Sequence, residues 1–509
     1  MAHPDAIDAI LSRRALLKAA ALGGGAIIGS SVLAACGVGA TAAPSAAAPT
    51  APAGGPTIAP AASLGGSPAA AKPATLNLLY ATVEADVDAI KLVLPDFEKQ
   101  FGIKINLDSQ PYNALQQKVF AELAQGSSFY DITVVDTPWM PALTKQIEPL
   151  SSYIQNTTLT DTKLLAIDDF IPKVFYDTAV YEADKSYLEF PGTPTTVDAA
   201  AITAAGFDVF GLPLQANVLT MSYRKDLFND TKEQSDFQAK YGKALGVPQT
   251  WDDFVQVAQF FTRPAKRLYG TTLMPGTGDW ATDDFKSLLA AYGGYGKMVD
   301  DQFKRRFNGP EGVAALTFYA DLINKYKVTP PGVTSFSWDE ASAAFVSGLT
   351  AMSMNYHSEK LSSTLQGEVA YAVVPKKVSV GPHFGTWMLS VNKFSKNKEW
   401  AYQAIVWLTA AAQQTKMLAT QLHPSRKSVY DAAKTDPNAT QFGNFYDILG
   451  QSLAVGIGRP RLTNYGDVDN MIYTAVNNVA TGAATPQDAL TKADGLVLDA
   501  LKKAGYPAT

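Results

Sequence analysis

Histidine, cysteine and the common catalytic motifs are scarce or missing in this sequence, and each shortage removes a class of function. Only four histidines occur, His3, His357, His383 and His423, far apart along the chain. No H-E-x-x-H, C-x-x-C, G-x-S-x-G or G-x-x-x-x-G-K-[ST] pattern appears, so no zinc hydrolase, dithiol, nucleophile-elbow or phosphate-loop chemistry is announced. Carboxylate pairs for a glycosidase exist at Asp168–Asp169, Asp252–Asp253 and Asp283–Asp284. Asp252 and Asp253, however, follow "PQTW" and suit a helix start, where they offset the dipole and accept from free N–H groups. The chain therefore reads as a non-enzyme that uses no cofactor and no metal. Charge of one sign is also lacking: 42 Lys and Arg face 47 Asp and Glu, for a net −5 without a block of like charge. A nucleic-acid partner would want a basic face.

Cys36 is the only cysteine among 509 residues, which rules out an intramolecular disulfide. It closes "LAAC", residues 33–36, which resembles a lipobox, where small residues admit a signal peptidase to the bond before a cysteine that becomes lipidated. Upstream, "SRRALLK" carries the twin arginines Arg13 and Arg14 and resembles a twin-arginine export signal. Residues 1–35 are thus expected to be a signal peptide; the competing reading, a membrane anchor, has a short apolar stretch diluted by glycine and serine. Each buried CH₂ of an acyl chain on Cys36 would add ~0.8 kcal/mol of membrane affinity. Residues 36–73 continue as Ala, Gly, Pro, Ser and Thr, which cannot bury a core and read as a lipidated cysteine with a flexible tether. The expected location is extracytoplasmic, on the cell membrane through the lipid.

Beyond the tether the chain is rich in apolar and aromatic residues; the whole sequence has 24 Phe, 22 Tyr and 7 Trp. Roughly 435 residues are more than one core usually serves, so two lobes are expected. "ATLNLLYAT" reads as a buried strand, and Val87, Ile90, Val93, Leu94 and Phe97 recur at helical spacing, with Pro95 set to kink or split that helix. Gly102 ends it, "IKINLDS" alternates as a second strand, and residues 112–125 form another helix before "YDITVVD". Alternating strand and helix at this spacing gives an α/β class with a mainly parallel sheet, whose ligands bind beyond the carboxyl ends of the strands. Asp136 stands at such an end, and Pro138 and Pro141 bracket Trp139. The carboxylate either accepts ligand hydroxyls or caps the next helix, and the indole either walls a cleft or fills the core. Trp280, in a Gly-rich loop, is a further cleft candidate. Trp251, Trp400 and Trp407 lie on or beside helices and are expected to be structural.

"LPDFEKQFGIKI", "YDITVVDTPWMPALTKQIEPL", "LPLQANVLTMSYRKDLF", "PQTWDDF", "AFVSGLTAMSMN", "FSKNKEWAYQAIVWLT" and "HPSRKSVY" occur in this order. Together they resemble the extracellular solute-binding proteins of carbohydrate ABC importers, the group that includes maltose- and trehalose-binding proteins. The resemblance implies a two-lobed periplasmic-binding-protein fold (type II-like) with a hinge of crossing strands. It places residues 74–214 and 337–384 in lobe 1, and 215–336 and 385–509 in lobe 2 with the C-terminal helices. It implies ligand contacts from Glu84, Asp136, Trp139, Gln215, Asn217, Tyr356, Trp387 and Arg426. The implied ligand is a carbohydrate, a di- or oligosaccharide, delivered by a monomer to ABC permease subunits. A polyamine or glycerophosphodiester ligand remains open, as does an exported glycoside hydrolase. Two departures stand out: a longer segment between Asn156 and Ala205, which either forms a lid or flanks the cleft, and Asn355-Tyr356-His357 where relatives carry tryptophan.

Overall fold

The computed structural model describes residues 68–82, 84–356, 365 and 367–509, without the side chains of 84–86, and these residues fall within one compact unit. The expected signal, Cys36 and most of the tether lie outside the described residues. Among those described, no helix is long and apolar enough to cross a membrane.

In chain order the strands are β1 (Thr75–Ala81), β2 (Lys104–Gln110), β3 (Ile132–Asp136), β4 (Val180–Tyr181), β5 (Asp208–Val209), β6 (Leu212–Val218), β7 (Thr220–Arg224), β8 (Met352–Asn355), β9 (Val369–Ala372) and β10 (Phe384–Val391). A five-stranded sheet runs β2-β1-β3-β10-β6, a three-stranded one β8-β7-β9, and β4 pairs with β5. β1 is parallel to β2 and β3, as the strand–helix alternation predicts, because each connection carries a helix back across the sheet. β10 then enters antiparallel between β3 and β6. Every residue of β3 and β10 is buried, so both faces of these strands are covered.

The helix Glu84–Phe101 runs through Pro95 without splitting. Pro95 is exposed, so water can satisfy the carbonyl one turn back that loses its amide partner. Gly102 ends that helix at φ +62°, donating its N–H to Glu98 O at 2.7 Å. Thr250 caps the helix Trp251–Phe261 by accepting from Asp253 N, as "PQTWDD" suggests. Trp251 and Trp407 are core residues, and Trp400 packs half-buried against the first core.

Two apolar cores define the lobes. One gathers β1, β2, β3, β10 and the helix Lys398–Leu408; the other gathers β7, β8, Asp279–Ala291, Pro310–Asn324 and the C-terminal helices Tyr465–Ala480 and Pro486–Lys503. This corrects the expected boundaries. β8 and β9 join the sheet of the second lobe, because they flank β7. The chain after residue 384 first returns to the first lobe, because β10 fills the gap between β3 and β6, bonding to both. Only from about Leu462 does it join the second core, where the C-terminal helices were expected.

Three segments cross between lobes side by side. Leu219 N donates to His383 O at 2.9 Å, Phe384 N to Ile457 O at 3.1 Å, and Ile457 N to Pro382 O at 2.8 Å. The segment between Asn156 and Ala205 also spans both lobes. Tyr187 packs on Phe303 and Tyr506, with ring centroids at 5.3 and 5.9 Å, while Phe190 packs on Tyr176 and Phe207 at 4.7 and 5.3 Å. Arg461, on the third crossing, donates to the carbonyls of Tyr176, Asp177, Val180 and Leu188, tying that segment to the hinge.

Candidate functional site

The sheet register assembles the first half of a site. Trp387 stands opposite Asp136 on one side and opposite Gln215 on the other, so the three side chains share one face beside the end of β3. Asn217 lies two residues further along the same face of β6, beside Gly385. Trp139 follows in the turn after β3, its N–H donating to Asp136 O at 3.0 Å, and is almost fully buried. Tyr112, the first residue of the helix Tyr112–Ala124 behind Pro111, reaches into this group. Its hydroxyl donates to Asp136 Oδ2 at 2.7 Å, and its ring lies 5.3 Å from Trp139 and 5.9 Å from Trp387.

The second lobe supplies the opposing half. The helix Asp279–Ala291 presents Asp279, Trp280, Asp283 and Lys286 at its N-terminal end. Trp338 opens the helix Trp338–Val346 behind Ser337, whose N–H donates to Glu340 in a capping box that fixes the helix start. Asn355 Nδ2 donates to Trp338 O at 3.1 Å and so ties the end of β8, and Tyr356 after it, to that helix start. Trp338 lies 5.2 Å from Trp280, 6.4 Å from Tyr356 and, edge-on across the lobes, 5.3 Å from Tyr112.

Between the two halves sits a buried charge cluster. Arg459 Nη2 donates to Asp279 Oδ2 at 2.7 Å and to Asp283 Oδ1 at 3.3 Å, while Nη1 lies 3.9 Å from Asp136 Oδ1. Gly385 makes room for this guanidinium, since a Cβ there would meet Nη1 at 2.7 Å. Tyr356 donates to Asp283 Oδ2 at 2.9 Å, and His383 Nε2 lies 2.8 Å from Asp283 Oδ1. Lys286 Nζ donates to Gly458 O at 2.6 Å and lies 3.2 Å from His383 Nδ1. Burial pushes the Asp136 carboxyl up to about 6 against the opposing pull of Arg459. Burial likewise raises Asp279 and Asp283, with Arg459 again the main counterweight. Burial, then repulsion from Arg459, brings Lys286 down to about 7. His383 is pushed well below its ordinary value by burial and by the two cations, so it is neutral at pH 7.

Several buried polar atoms in this cluster have no hydrogen-bond partner among the described residues. The acceptors are Asp136 Oδ1 and Asp279 Oδ1; the donors are Trp139 Nε1, Gln215 Nε2, Trp280 Nε1, Trp338 Nε1 and Arg459 Nε. Burying each such atom unmatched costs ~1–3 kcal/mol, so their concentration in one place marks a site built for a polar ligand. The flat indole and phenol rings beside them suit an apolar ligand face. No three His, Cys, Asp or Glu side chains among the described residues come together as a metal would require.

Of the residues singled out from the sequence, Asp136, Trp139, Gln215, Trp280, Tyr356 and Trp387 come together here, with Asn217 alongside. Glu84 begins its helix, but its side chain lies outside the described residues, as does all of His357. Arg426 is not brought to the cleft. It is fully buried, stacks 3.9 Å over Phe170 and donates to the carbonyls of Thr409, Ala166 and Leu165. Those carbonyls close two helices, so Arg426 is a structural clamp. Sequence reasoning missed the site roles of Tyr112, Asp279, Asp283, Lys286, Trp338, His383 and Arg459. Asp279 adjoins Trp280, and Trp338 sits in the S-W-D-E of a capping box; Arg459 in "GIGRPR" carried no signal.

Residues 80–415 match the bacterial extracellular solute-binding protein family. The chain is 26% identical over 277 residues to a probable ABC transporter-binding protein of Deinococcus radiodurans, covering 52% of this chain and 64% of that one. It is 25% identical over 471 residues to an erythritol/L-threitol-binding protein of Mycolicibacterium smegmatis, covering 87% of each. Among solved structures, an ABC transporter solute-binding protein of Agrobacterium radiobacter in complex with ribitol superposes with a TM-score of 0.66 at 25% identity, covering 83% of this chain and 98% of that one. Maltose-bound MalE3 of T. maritima gives 0.67 at 24%, with the same coverages. The family match spans both lobes, and the chain belongs to the bacterial extracellular solute-binding protein family.

Proposed function

We propose that this protein captures a sugar or polyol between its lobes and hands it to an ABC importer. The observation that carries this reading is the mixture of unmatched atoms in the site, two carboxylate oxygens beside five N–H donors. A hydroxyl both donates and accepts, so a chain or ring of hydroxyls answers both kinds. The aromatic rings cover the C–H faces of such a ligand. Two of the relatives named above, the erythritol/L-threitol-binding protein and the ribitol complex, are in keeping with it. The di- or oligosaccharide expected from the resemblance is the longer end of this class.

The carboxylates Asp136, Asp279 and Asp283 favour a second reading, a polyamine. An ammonium group only donates, and would leave the indole, amide and guanidinium donors unanswered. Capture works by closure: contacts made only in the shut form stabilise it, and the transporter distinguishes shut from open. Residues 1–35 and Cys36 would export the chain and anchor it as a lipoprotein, with residues 37–73 as the tether to a monomeric binding unit; loss of fatty-acid labelling in Cys36→Ser tests this part.

The ligand is tested by thermal shift against polyols, mono- and oligosaccharides, polyamines and glycerophosphodiesters. A ligand at about 100 times its Kd adds ~2.7 kcal/mol of stability. The expected result is a rise with a sugar or polyol that Asp136→Ala and Trp280→Ala abolish. Stabilisation by polyamines or phosphodiesters alone would overturn the sugar assignment.

A further inference from the structure

Tyr112 makes, from within the chain, both kinds of contact that a sugar ring would make with this site. Its ring lies close to parallel with Trp387, at 23° and 5.9 Å, and at 38° and 5.3 Å to Trp139. Its hydroxyl occupies Asp136 Oδ2. The edge of the same ring meets Trp338 of the other lobe at 88° and 5.3 Å. One aromatic side chain therefore covers the stacking surface of two indoles, takes one carboxylate oxygen and touches both lobes.

Its position is held by the backbone. Tyr112 follows Pro111, with φ −57° and ψ 150°, and starts a helix of 13 residues. The phenol is held by the hydroxyl bond to Asp136 and by the rings of Trp139, Trp387 and Trp338, and the unmatched polar atoms show what is left. Asp136 Oδ1, Gln215 Nε2, Asp279 Oδ1, Trp280 Nε1 and Arg459 Nε remain unengaged while the Trp387 face is covered. A second pyranose ring would have to enter where the phenol now stands.

We propose that Tyr112 is the residue that sets ligand size, limiting this site to a single sugar ring or a short polyol. This rests on the sugar reading above and narrows it away from the di- or oligosaccharide expected from the sequence. The test compares dissociation constants for ribitol, glucose, maltose and maltotriose in the wild-type protein, Tyr112→Ala and Tyr112→Phe, each first shown by its melting profile to be folded. The wild type is expected to prefer ribitol or glucose over maltose by at least about tenfold, and Tyr112→Ala to shrink that ratio by about tenfold or more. Tyr112→Phe keeps the ring and should leave the ratio within about threefold, losing only the hydroxyl bond to Asp136. Maltose or maltotriose bound by the wild type as tightly as the smaller ligands would overturn the size limit and leave the sugar reading intact. So would a Tyr112→Ala ratio equal to that of the wild type. Failure of all four ligands to bind any folded variant would overturn the sugar reading and this proposal with it.

Discussion

Arg459→Met removes the guanidinium that faces Asp136, Asp279 and Asp283 while keeping most of the apolar length of the side chain. The arginine is almost wholly buried, 2.7 Å from Asp279 and 3.3 Å from Asp283, with Asp136 3.9 Å away and Asp469 buried beside Asp279. At such separations each pair is worth ~4 kcal/mol of attraction at an effective dielectric of about 20. Much of this only repays the cost of taking the charges out of water, so the net penalty for removing one partner is ~3–5 kcal/mol. The sign of the pH dependence comes from the carboxyls. Arg459 is the chief influence holding them down, so without it their folded pKa values rise further above 3.8. An acid with a raised folded pKa loses stability as pH climbs from its unfolded value through the folded one. For Asp136 in the wild type that window runs from about 4 to about 6. In the variant it extends higher, so the deficit is largest at pH 7.5 and shrinks towards pH 5. Urea unfolding at both pH values measures it. The expected deficit is ~3–5 kcal/mol at pH 7.5, falling by at least ~1 kcal/mol at pH 5 and partly restored by adding Asp279→Asn. A deficit below ~1 kcal/mol, or one equal at both pH values, would refute the assignment of Arg459 as the counter-charge of the cluster.

Asp284 accepts from Met274 N and the Tyr319 hydroxyl deep in the second lobe, and burial pushes its carboxyl up to about 7. Its ionisation therefore costs stability progressively from about pH 4 to pH 7, with a slope of up to ~1.4 kcal/mol per pH unit. Asp284→Asn keeps an acceptor for both donors, and is expected to exceed the wild type in urea unfolding by a margin that grows from ~1.4 kcal/mol at pH 5 towards pH 8; a constant difference across that range would count against it. Arg426→Lys leaves at least two of the carbonyls of Leu165, Ala166 and Thr409 without a donor, since one ammonium on a flexible stem cannot reproduce the guanidinium fork. The expected loss is ~2–4 kcal/mol of stability with ligand affinity unchanged, and a variant that stays stable but binds ligand poorly would return Arg426 to the cleft.

Half of the site could be read from the chain because strand ends carry positional meaning. A β-branched run that stops at Asp136 places its carboxylate at the end of a strand wherever that strand lies, and Trp387 could be assigned to a strand of its own. Register then joined Asp136, Trp387 and Gln215, a step no local pattern contains. The exchanged assignment of β8, β9 and β10 has the same origin. Each is a short apolar run able to fill either sheet, and partner choice depends on which edges the rest of the chain leaves unpaired.

Local chemistry was enough for the helix start at Thr250, the stop at Gly102 and the strand–helix alternation, since caps, glycine backbones and apolar periodicity act within one or two turns. By the same short-range logic the sequence alone delimited a low-complexity stretch that cannot build a core. Which arginine serves the cleft was decided only by the tertiary structure. Arg426 and Arg459 both follow a proline- or glycine-bearing loop and look alike in sequence. One closes helix ends against Phe170 and the other balances carboxylates drawn from both lobes, because a buried guanidinium takes its role from whatever carbonyls and charges the folded chain brings within reach.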